Sequence, residues 1–273
     1  PDMVARGDLS LVQGMSHGAR SILESVGCRS VQDLAEFHPE NARARGNLDA
    51  TLVRRLRRAA EAQLAGSPVL EARPRAENLD RSAIIHMVTD AFADRVLGFG
   101  MLHPATEDGK FTFVLPKSQD AEWQAFRELT AGFPPRSVLL HFGDGLRRWH
   151  EEHAFSREAD PSMEARFVDL QKRLKAAAIY PAPVILLPDF VKHGLDRDPL
   201  RGGHAGAAAM WTLEDDGDAR LEAKLRTDLL DLAALKAQIL DAAADGEVLK
   251  PKPVVRRKAR AKKAVTKVRS EES

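Results

Sequence analysis

The stretch from residue 83 to residue 102 constrains the fold of this chain more than any other. It holds two apolar runs, residues 83–88 and 95–102, joined by a short polar connection that begins at Thr89 and Asp90. Each run has the length of a β-strand, and two such runs with a short polar link are typical of a hairpin. The pattern therefore predicts the first hairpin of a buried sheet.

Later patterns extend this sheet and place helices around it. Apolar runs at 111–115 and 137–142 predict two more strands. Amphipathic patterns predict helices at 119–131 and 145–155, a helix opening at 166–170, and further helices at 186–194, 205–213 and 221–240. Three consecutive strands, followed by helices that alternate with a further strand, predict an α/β fold in which helices flank a mixed sheet.

The sequence divides into four parts. Residues 1–66 contain only helical patterns and predict a small all-α domain, and residues 67–82, which include Pro68 and Pro74, predict a linker. Residues 83–244 contain the α/β pattern. Residues 245–273 are basic, lack aromatic residues and predict a disordered tail.

The charge of the chain is unevenly distributed. The net charge is +1, but from residue 246 onward ten Lys or Arg face three Glu, so the tail carries +7 and the rest of the chain −6. Such a tail binds polyanions through counterion release and without sequence preference. A solubilising tail or an interdomain linker is the alternative. The candidate contacts to nucleic acid are Arg256, Arg257, Lys258, Arg260, Lys262 and Lys263.

The composition limits location and redox chemistry. No apolar run approaches the roughly 18 residues of a membrane span, and no signal peptide opens the chain, so we expect a cytoplasmic protein without membrane contact. Cys28 is the single cysteine, which excludes an internal disulfide and any cysteine-based metal cluster.

Residues 9–39 contain two short helical patterns separated by Gly27. The second pattern begins at Ser30 with Asp33 three residues later, close to a capping box. This segment resembles a helix-hairpin-helix unit, whose Gly-apolar-Gly hairpin directs backbone N–H groups at a nucleic-acid phosphate. Here the hairpin reads Gly14-Met15-Ser16, and Gly18 follows in the next helix. The resemblance implies contacts to nucleic acid at Gly14, Ser16 and Gly18, and a packing hairpin is the alternative.

Residues 48–64 predict one amphipathic helix. Leu48, Leu52, Leu56 and Leu64 fall on one face, and Gly66 ends the pattern. The other face carries Arg54, Arg55, Arg57 and Arg58. An arginine face can follow a phosphate backbone, or it can simply be solvated.

The order of elements from residue 83 onward resembles the ribonuclease-H-like domain of the YprB type. In that family the domain follows a helix-hairpin-helix within RecB-like nucleases. The resemblance covers most of residues 9–240, and it implies a ribonuclease-H-like mixed sheet with a small helix-hairpin-helix domain before it.

Nucleases of this superfamily use four acidic side chains to hold two divalent metals about 4 Å apart. The first two normally form Asp-x-Glu on the first strand, and this chain has His86 and Val88 there. The third normally follows a segment that reads His141-Phe142-Gly143 here, but Leu146 stands at its position. The resemblance therefore predicts that these three positions cannot ligate Mg²⁺.

The last motif of the family is Tyr-Asn-x-x-Asp on the final helix. This chain has Thr227 in place of the Tyr and keeps the aspartate as Asp231, while Asp169 matches another aspartate of the family. An alternative acidic site would combine Asp90, Asp144, Asp169 and Asp231.

We therefore expect a nucleic-acid-binding protein built on a degenerate, catalytically inactive nuclease domain, with DNA rather than RNA as partner and no cofactor. The alternatives are an active 3′–5′ exonuclease that uses Mg²⁺ or Mn²⁺ at a rebuilt acidic site, and a protein-interaction module of a larger nuclease or helicase assembly.

Overall fold

The computed structural model describes residues 7–38, 40, 48–72, 74–90, 93–104, 110–134, 137–156, 163, 166–182, 186–197 and 214–244. The predicted helix at 205–213 and the basic tail lie outside these residues. No helix among the described residues is long and apolar enough to cross a membrane.

The amino-terminal part forms a small helical module. It contains a 3₁₀ turn at Leu9–Leu11 and the helices α1 (His17–Ser25), α2 (Val31–Glu36) and α3 (Ala50–Ala65). Their leucines and valines share one buried cluster, in which Leu23, Leu34 and Val53 are fully buried. The predicted amphipathic helix is therefore confirmed as α3, and its apolar face closes the core of this module. Leu64, which the pattern predicts on that face, is instead 51% exposed, because eight residues of helix rotate it by roughly 80° from Leu56.

Each helix of the module begins at a polar cap. Ser16 Oγ accepts a hydrogen bond from the backbone N–H of Ala19, and Ser30 with Asp33 forms the predicted capping box. Asp49 caps α3, which ends at Gly66 with a φ of +66°. These side chains satisfy N–H groups that the first turn of a helix leaves without a partner.

A five-stranded sheet forms the centre of the larger part of the chain. Its strands are β2 (Ala83–Asp90), β3 (Arg95–Leu102), β4 (Phe111–Val114), β5 (Leu139–His141) and β6 (Phe167–Asp169), in the spatial order β4-β3-β2-β5-β6. The first three strands pair antiparallel, whereas β5 and β6 run parallel to β2. The predicted opening hairpin and the mixed sheet are thus confirmed.

One predicted boundary is wrong. Residues 166–170 predict the opening of a helix, but Phe167–Asp169 form β6, and helix α6 (Leu170–Ala177) begins only afterwards. A three-residue strand is too short to show the alternation that distinguishes strand from helix. The Asp169 side chain caps α6 by accepting from the N–H groups of Gln171 and Lys172, so strand and helix meet at this residue.

Helices cover both faces of the sheet. The helices α4 (Glu122–Thr130) and α5 (Gly145–Ser156) pack on one face, where Phe99, Phe126 and Trp149 form an aromatic cluster. The helices α7 (Leu187–Gly194) and α8 (Gly217–Ala244) share buried clusters with residues of the opposite face.

Helix α8 approaches the sheet closely because two residues of β3 have no side chain. A Cβ atom on Gly98 would lie 3.0 Å from Leu225 Cδ1, and one on Gly100 would lie 3.0 Å from Leu229 Cδ1. Gly98 pairs with Val88, and Gly100 pairs with His86. The glycines therefore bring α8 directly over the middle of β2.

The predicted linker contains structure that joins the two parts of the chain. Strand β1 (Val69–Leu70) lies within residues 67–82 and pairs antiparallel with β7 (Ala178–Ile179), which follows α6. Ile179 is buried in the core cluster of the helical module. This side chain thus ties the sheet-bearing part to the helical part.

Candidate functional site

The sheet turns His86 and Val88 toward α8. Ile84, His86 and Val88 alternate along β2, and Ile84 and Val88 both belong to buried clusters that contain leucines of α8. Val88 is buried against Leu221 and Leu225. Of the two positions at which the resemblance expects acids, Val88 is therefore part of the apolar core, and His86 faces a polar segment of α8.

His86 contacts an aspartate of α8 that the sequence analysis did not select. His86 Nε2 lies 3.1 Å from Asp228 Oδ2, and Lys224 Nζ donates to the same oxygen at 2.8 Å. The three side chains are only 12–17% exposed. Three polar side chains thus contact one another between β2 and α8, with Asp228 in the middle, Lys224 on one side and His86 on the other.

The surroundings of Asp228 favour its ionised form. Burial pushes the pKa of Asp228 upward, but the hydrogen bond from His86 and the charges of His86 and Lys224 outweigh burial, so its pKa lies below the ordinary 3.8. An ionised carboxylate only accepts hydrogen bonds, so His86 Nε2 carries a proton. Asp228 is therefore neutralised by the protein's own cationic and donor groups.

Asp231, the aspartate that the resemblance retains, has a different partner. Arg197, which follows α7, donates from its guanidinium to Asp231 Oδ1. Burial raises the pKa of Asp231 above 3.8, the charge of Arg197 opposes this shift, and the neighbouring Asp228 adds to it. Asp231 is thus a buried carboxylate that depends on one arginine for compensation.

Asp144 and Asp169 lie together at the ends of β5 and β6. Lys172 Nζ lies 2.8 Å from Asp144 Oδ1 and 3.7 Å from Asp169 Oδ2. Asp169 Oδ1 accepts from the backbone N–H groups of Gly143, Gln171 and Lys172. The Lys172 ammonium also lowers the pKa of Asp144. Asp169 therefore caps α6, and Asp144 is bound to the first turn of the same helix through Lys172.

Asp169 and Asp231 lie on opposite faces of the sheet. Phe167 packs with the aromatic cluster of α4 and α5, and Asp169, two residues later in the same strand, shares its face. Asp231 lies on α8, on the opposite face. The structure therefore does not bring Asp144 and Asp169 together with Asp231.

The remaining predicted positions also have local partners. Asp90 ends β2 and accepts from the N–H of Ala93 in the hairpin turn. Leu146 is buried in the cluster of α4 and α5, and the Thr227 hydroxyl donates to the carbonyl of Ala223 in its own helix. Among the described residues, no group of three or more His, Cys, Asp or Glu is placed to hold a metal ion.

The residues at the expected nuclease site do not have the chemistry to bind a pair of Mg²⁺ ions. Magnesium needs several oxygen ligands, but His86, Val88 and Leu146 supply none, and the ammonium of Lys224 already contacts Asp228. The residues at the expected site do not fit two magnesium ions.

We found no protein-family model, no curated protein and no solved structure that matches this chain.

The sequence analysis does not select three residues that form these contacts. Lys224 and Asp228 lie at the contact with His86, and Arg197 binds Asp231. The spacing of Lys224 and Asp228 at i and i+4 is a signal for a helical ion pair, and the sequence shows it. The contact between α8 and β2 is not visible in the sequence, because it depends on the rotation of the helix over the sheet.

Residues 14–16 connect the 3₁₀ turn at Leu9–Leu11 to α1. Gly14 has a φ of +84°, a conformation that favours glycine. Ser16 occupies the N-cap of α1, and Gly18 lies in the first turn, where a Cβ atom would meet nothing within 4 Å. The first turn of α1 therefore has open space around Gly18.

The arginine face of α3 is partly neutralised. Glu61 accepts from Arg57 Nε and from Arg58 Nη1, each at 3.0 Å. Arg54 Nε donates to the carbonyl of Ala50, and within the described part of the chain no carboxylate forms an ion pair with Arg54 or Arg55. Arg54 and Arg55 are thus the cations of this face with the least local compensation. The tail residues predicted to contact nucleic acid lie outside the described residues.

Proposed function

We propose that this protein binds nucleic acid, DNA rather than RNA, and that its larger domain is a ribonuclease-H-like nuclease domain without catalytic metals. The strand order supports the fold assignment, since three consecutive antiparallel strands are followed by strands parallel to the first. The helical module before it, with its capped α1 and the glycine hairpin, supports the assignment of a helix-hairpin-helix.

One observation carries the inactive assignment. Where the resemblance requires two metal-binding acids, His86 and Lys224 both contact Asp228. A divalent ion about 4 Å from an ammonium group would meet roughly 8 kcal/mol of repulsion at an effective dielectric constant of 20. Lys224 thus opposes the binding of a second cation at Asp228.

The helical module supplies the proposed contacts to DNA. Backbone N–H groups at the start of α1 favour a phosphate oxygen, and the arginines of α3 provide a sequence-independent attraction. Both kinds of contact address the phosphate backbone, so we expect binding without strong sequence preference.

Two assays on the full chain test this proposal. Fluorescence anisotropy with labelled single- and double-stranded DNA and RNA should show binding that weakens steeply between low and physiological salt. Digestion of the same oligonucleotides in Mg²⁺ or Mn²⁺ should give no cleavage. Cleavage that Asp231→Asn abolishes would establish the active nuclease instead.

Absence of binding to every nucleic acid, even at low salt, would contradict the proposal. In that case the chain would serve as a protein-interaction module of a larger nuclease or helicase assembly.

A further inference from the structure

The outer face of the long helix α8 carries one exposed leucine among small residues. Its inner face packs on the sheet through fully buried leucines, including Leu225, Leu229 and Leu232. Its outer face carries residues that are exposed or half-buried: Ala223, Leu230, Ala234, Ala237 and Ala244. Leu230 is 51% exposed. A large apolar side chain that is exposed among alanines favours a second helix packed against this outer face.

Two opposite charges interrupt the outer face at positions that make it complementary to itself. Arg226 and Asp241 are both exposed, and about 22 Å of helix separates them. If two copies of α8 pack antiparallel about a two-fold axis between residues 233 and 234, Arg226 of each copy lies opposite Asp241 of the other. The same axis brings Leu230 opposite Ala237.

This register also matches large side chains with small ones. Leu230 of one copy enters the space that Ala234 and Ala237 leave on the other, and Ala223 lies opposite Ala244. Small residues allow two helix axes to approach to about 8 Å, and a single large residue then fills the gap. A two-fold axis repeats each of these contacts, so every favourable pair occurs twice.

Arg226 is already held in position for such an ion pair. Its Cζ lies 4.6 Å from the ring centre of Phe111 and 5.4 Å from that of Phe113, both on the edge strand β4. Stacking uses the flat face of the guanidinium and leaves the N–H donors at its edge in the plane of the group. A carboxylate that approaches from the outer face therefore meets an arginine whose side-chain entropy has already been reduced.

We propose that the outer face of α8 is a homodimer interface, in which a second copy of this chain packs antiparallel and forms two reciprocal ion pairs between Arg226 and Asp241. The proposal does not depend on nucleic-acid binding. One pair of helix faces buries less than the roughly 1,200 Å² of standard complexes, so the dimer is weak and forms at about micromolar concentrations.

Analytical ultracentrifugation of the full chain over a range of concentrations tests the proposal. The wild-type protein should sediment as a monomer–dimer equilibrium, and Leu230→Glu should remain monomeric. Leu64→Glu is the matched control, because Leu64 lies on α3 and is also 51% exposed. The control should dimerise like the wild type. A dimer that survives Leu230→Glu would overturn the proposal.

Charge reversal tests the register independently of Leu230. Arg226→Glu and Asp241→Arg should each weaken self-association at least tenfold, since each places like charges opposite one another twice. An equimolar mixture of the two variants should form a heterodimer with wild-type affinity, because both ion pairs are restored. Absence of this heterodimer would overturn the antiparallel register.

A monomeric wild type would also overturn the proposal. If Leu230→Glu then lowers the melting temperature more than Leu64→Glu does, other residues of the same chain cover the outer face. If both variants melt like the wild type, the face is solvated.

Discussion

His86 and Asp228 are 142 residues apart in the chain, yet His86 Nε2 lies 3.1 Å from Asp228 Oδ2. The contact joins the first strand of the sheet to the last helix, and Lys224 completes it from one turn earlier in that helix. A buried carboxylate with two such partners contributes stability only while both compensate its charge.

Asp228→Asn should therefore destabilise the fold. The substitution keeps the shape of the side chain but leaves the mostly buried Lys224 ammonium without its counter-ion, which costs about 3 kcal/mol. Denaturation in urea measures this loss. The double variant Lys224→Met/Asp228→Leu is the control, because replacing both charges by apolar groups removes the unpaired charge, and we expect it to lose less than Asp228→Asn.

The loss of unfolding free energy in Asp228→Asn should disappear in acid. The folded state lowers the pKa of Asp228, so the aspartate stabilises the fold above its unfolded pKa near 3.8, and this contribution is lost as the pH falls through the lower, folded pKa. The difference in unfolding free energy between wild type and Asp228→Asn should shrink below about pH 4. A difference that grows on acidification would contradict the ionised state of Asp228.

The contribution of Asp231 to stability should depend on pH in the opposite sense. Its pKa is raised by burial, so the stability that the protonated carboxyl contributes below its unfolded pKa near 3.8 is lost as the pH rises through the higher, folded pKa, and Arg197 limits that loss. Arg197→Ala should raise the pKa of Asp231 further, as a carbon-13 titration of its carboxyl group would show. Lys192→Ala, which removes an exposed cation from neighbouring α7, should leave that pKa in place.

The sequence predicts the sheet better than it predicts the site. The opening hairpin is predictable because residues 83–88 and 95–102 are long apolar runs, whereas β1 and β7 have two residues each and exist only through their mutual pairing. Motif spacing predicts Asp231 as the site residue of α8, but Asp228 is the residue of α8 that contacts His86 on β2. The rotation of α8 is set by the contacts of Leu225 and Leu229 with glycines of β3, a tertiary effect that helical periodicity does not contain.

Those glycines should not tolerate alanine. A Cβ atom on Gly98 would lie 2.7 Å from Leu115 Cδ2, next to β4, and 3.0 Å from Leu225 Cδ1 of α8, and one on Gly100 would lie 3.0 Å from Leu229 Cδ1 of α8, so these leucine side chains must move. Overpacking of this kind costs about 1–3 kcal/mol, which thermal unfolding of Gly98→Ala and Gly100→Ala would report. Gly132→Ala is the control, because its Cβ meets nothing within 4 Å. Equal stability of all three variants would contradict the close packing of α8.

Removal of one carboxylate should strengthen nucleic-acid binding. Glu61 neutralises Arg57 and Arg58, so Glu61→Gln should tighten DNA binding and steepen its dependence on salt. Anisotropy titrations at several salt concentrations measure both effects. Glu151→Gln is the matched control, since it changes the net charge equally but removes an ion pair with Arg147 in the other part of the chain. Equal gains for the two variants would indicate a general charge effect and contradict a role for α3.

Substitutions at Gly18 distinguish a hairpin that contacts phosphate from one that only packs within its module. Its Cβ position is open, so both Gly18→Ala and Gly18→Glu should fold, and a carboxylate in the first turn of α1 also interacts favourably with the helix dipole. The same carboxylate repels a phosphate at the helix start. Gly18→Glu should therefore lower DNA affinity about tenfold without loss of melting temperature, whereas Gly18→Ala should keep the affinity. Unchanged binding by Gly18→Glu would show that this part of the module does not contact the phosphate backbone, because a carboxylate at an exposed helix start would repel any phosphate bound there.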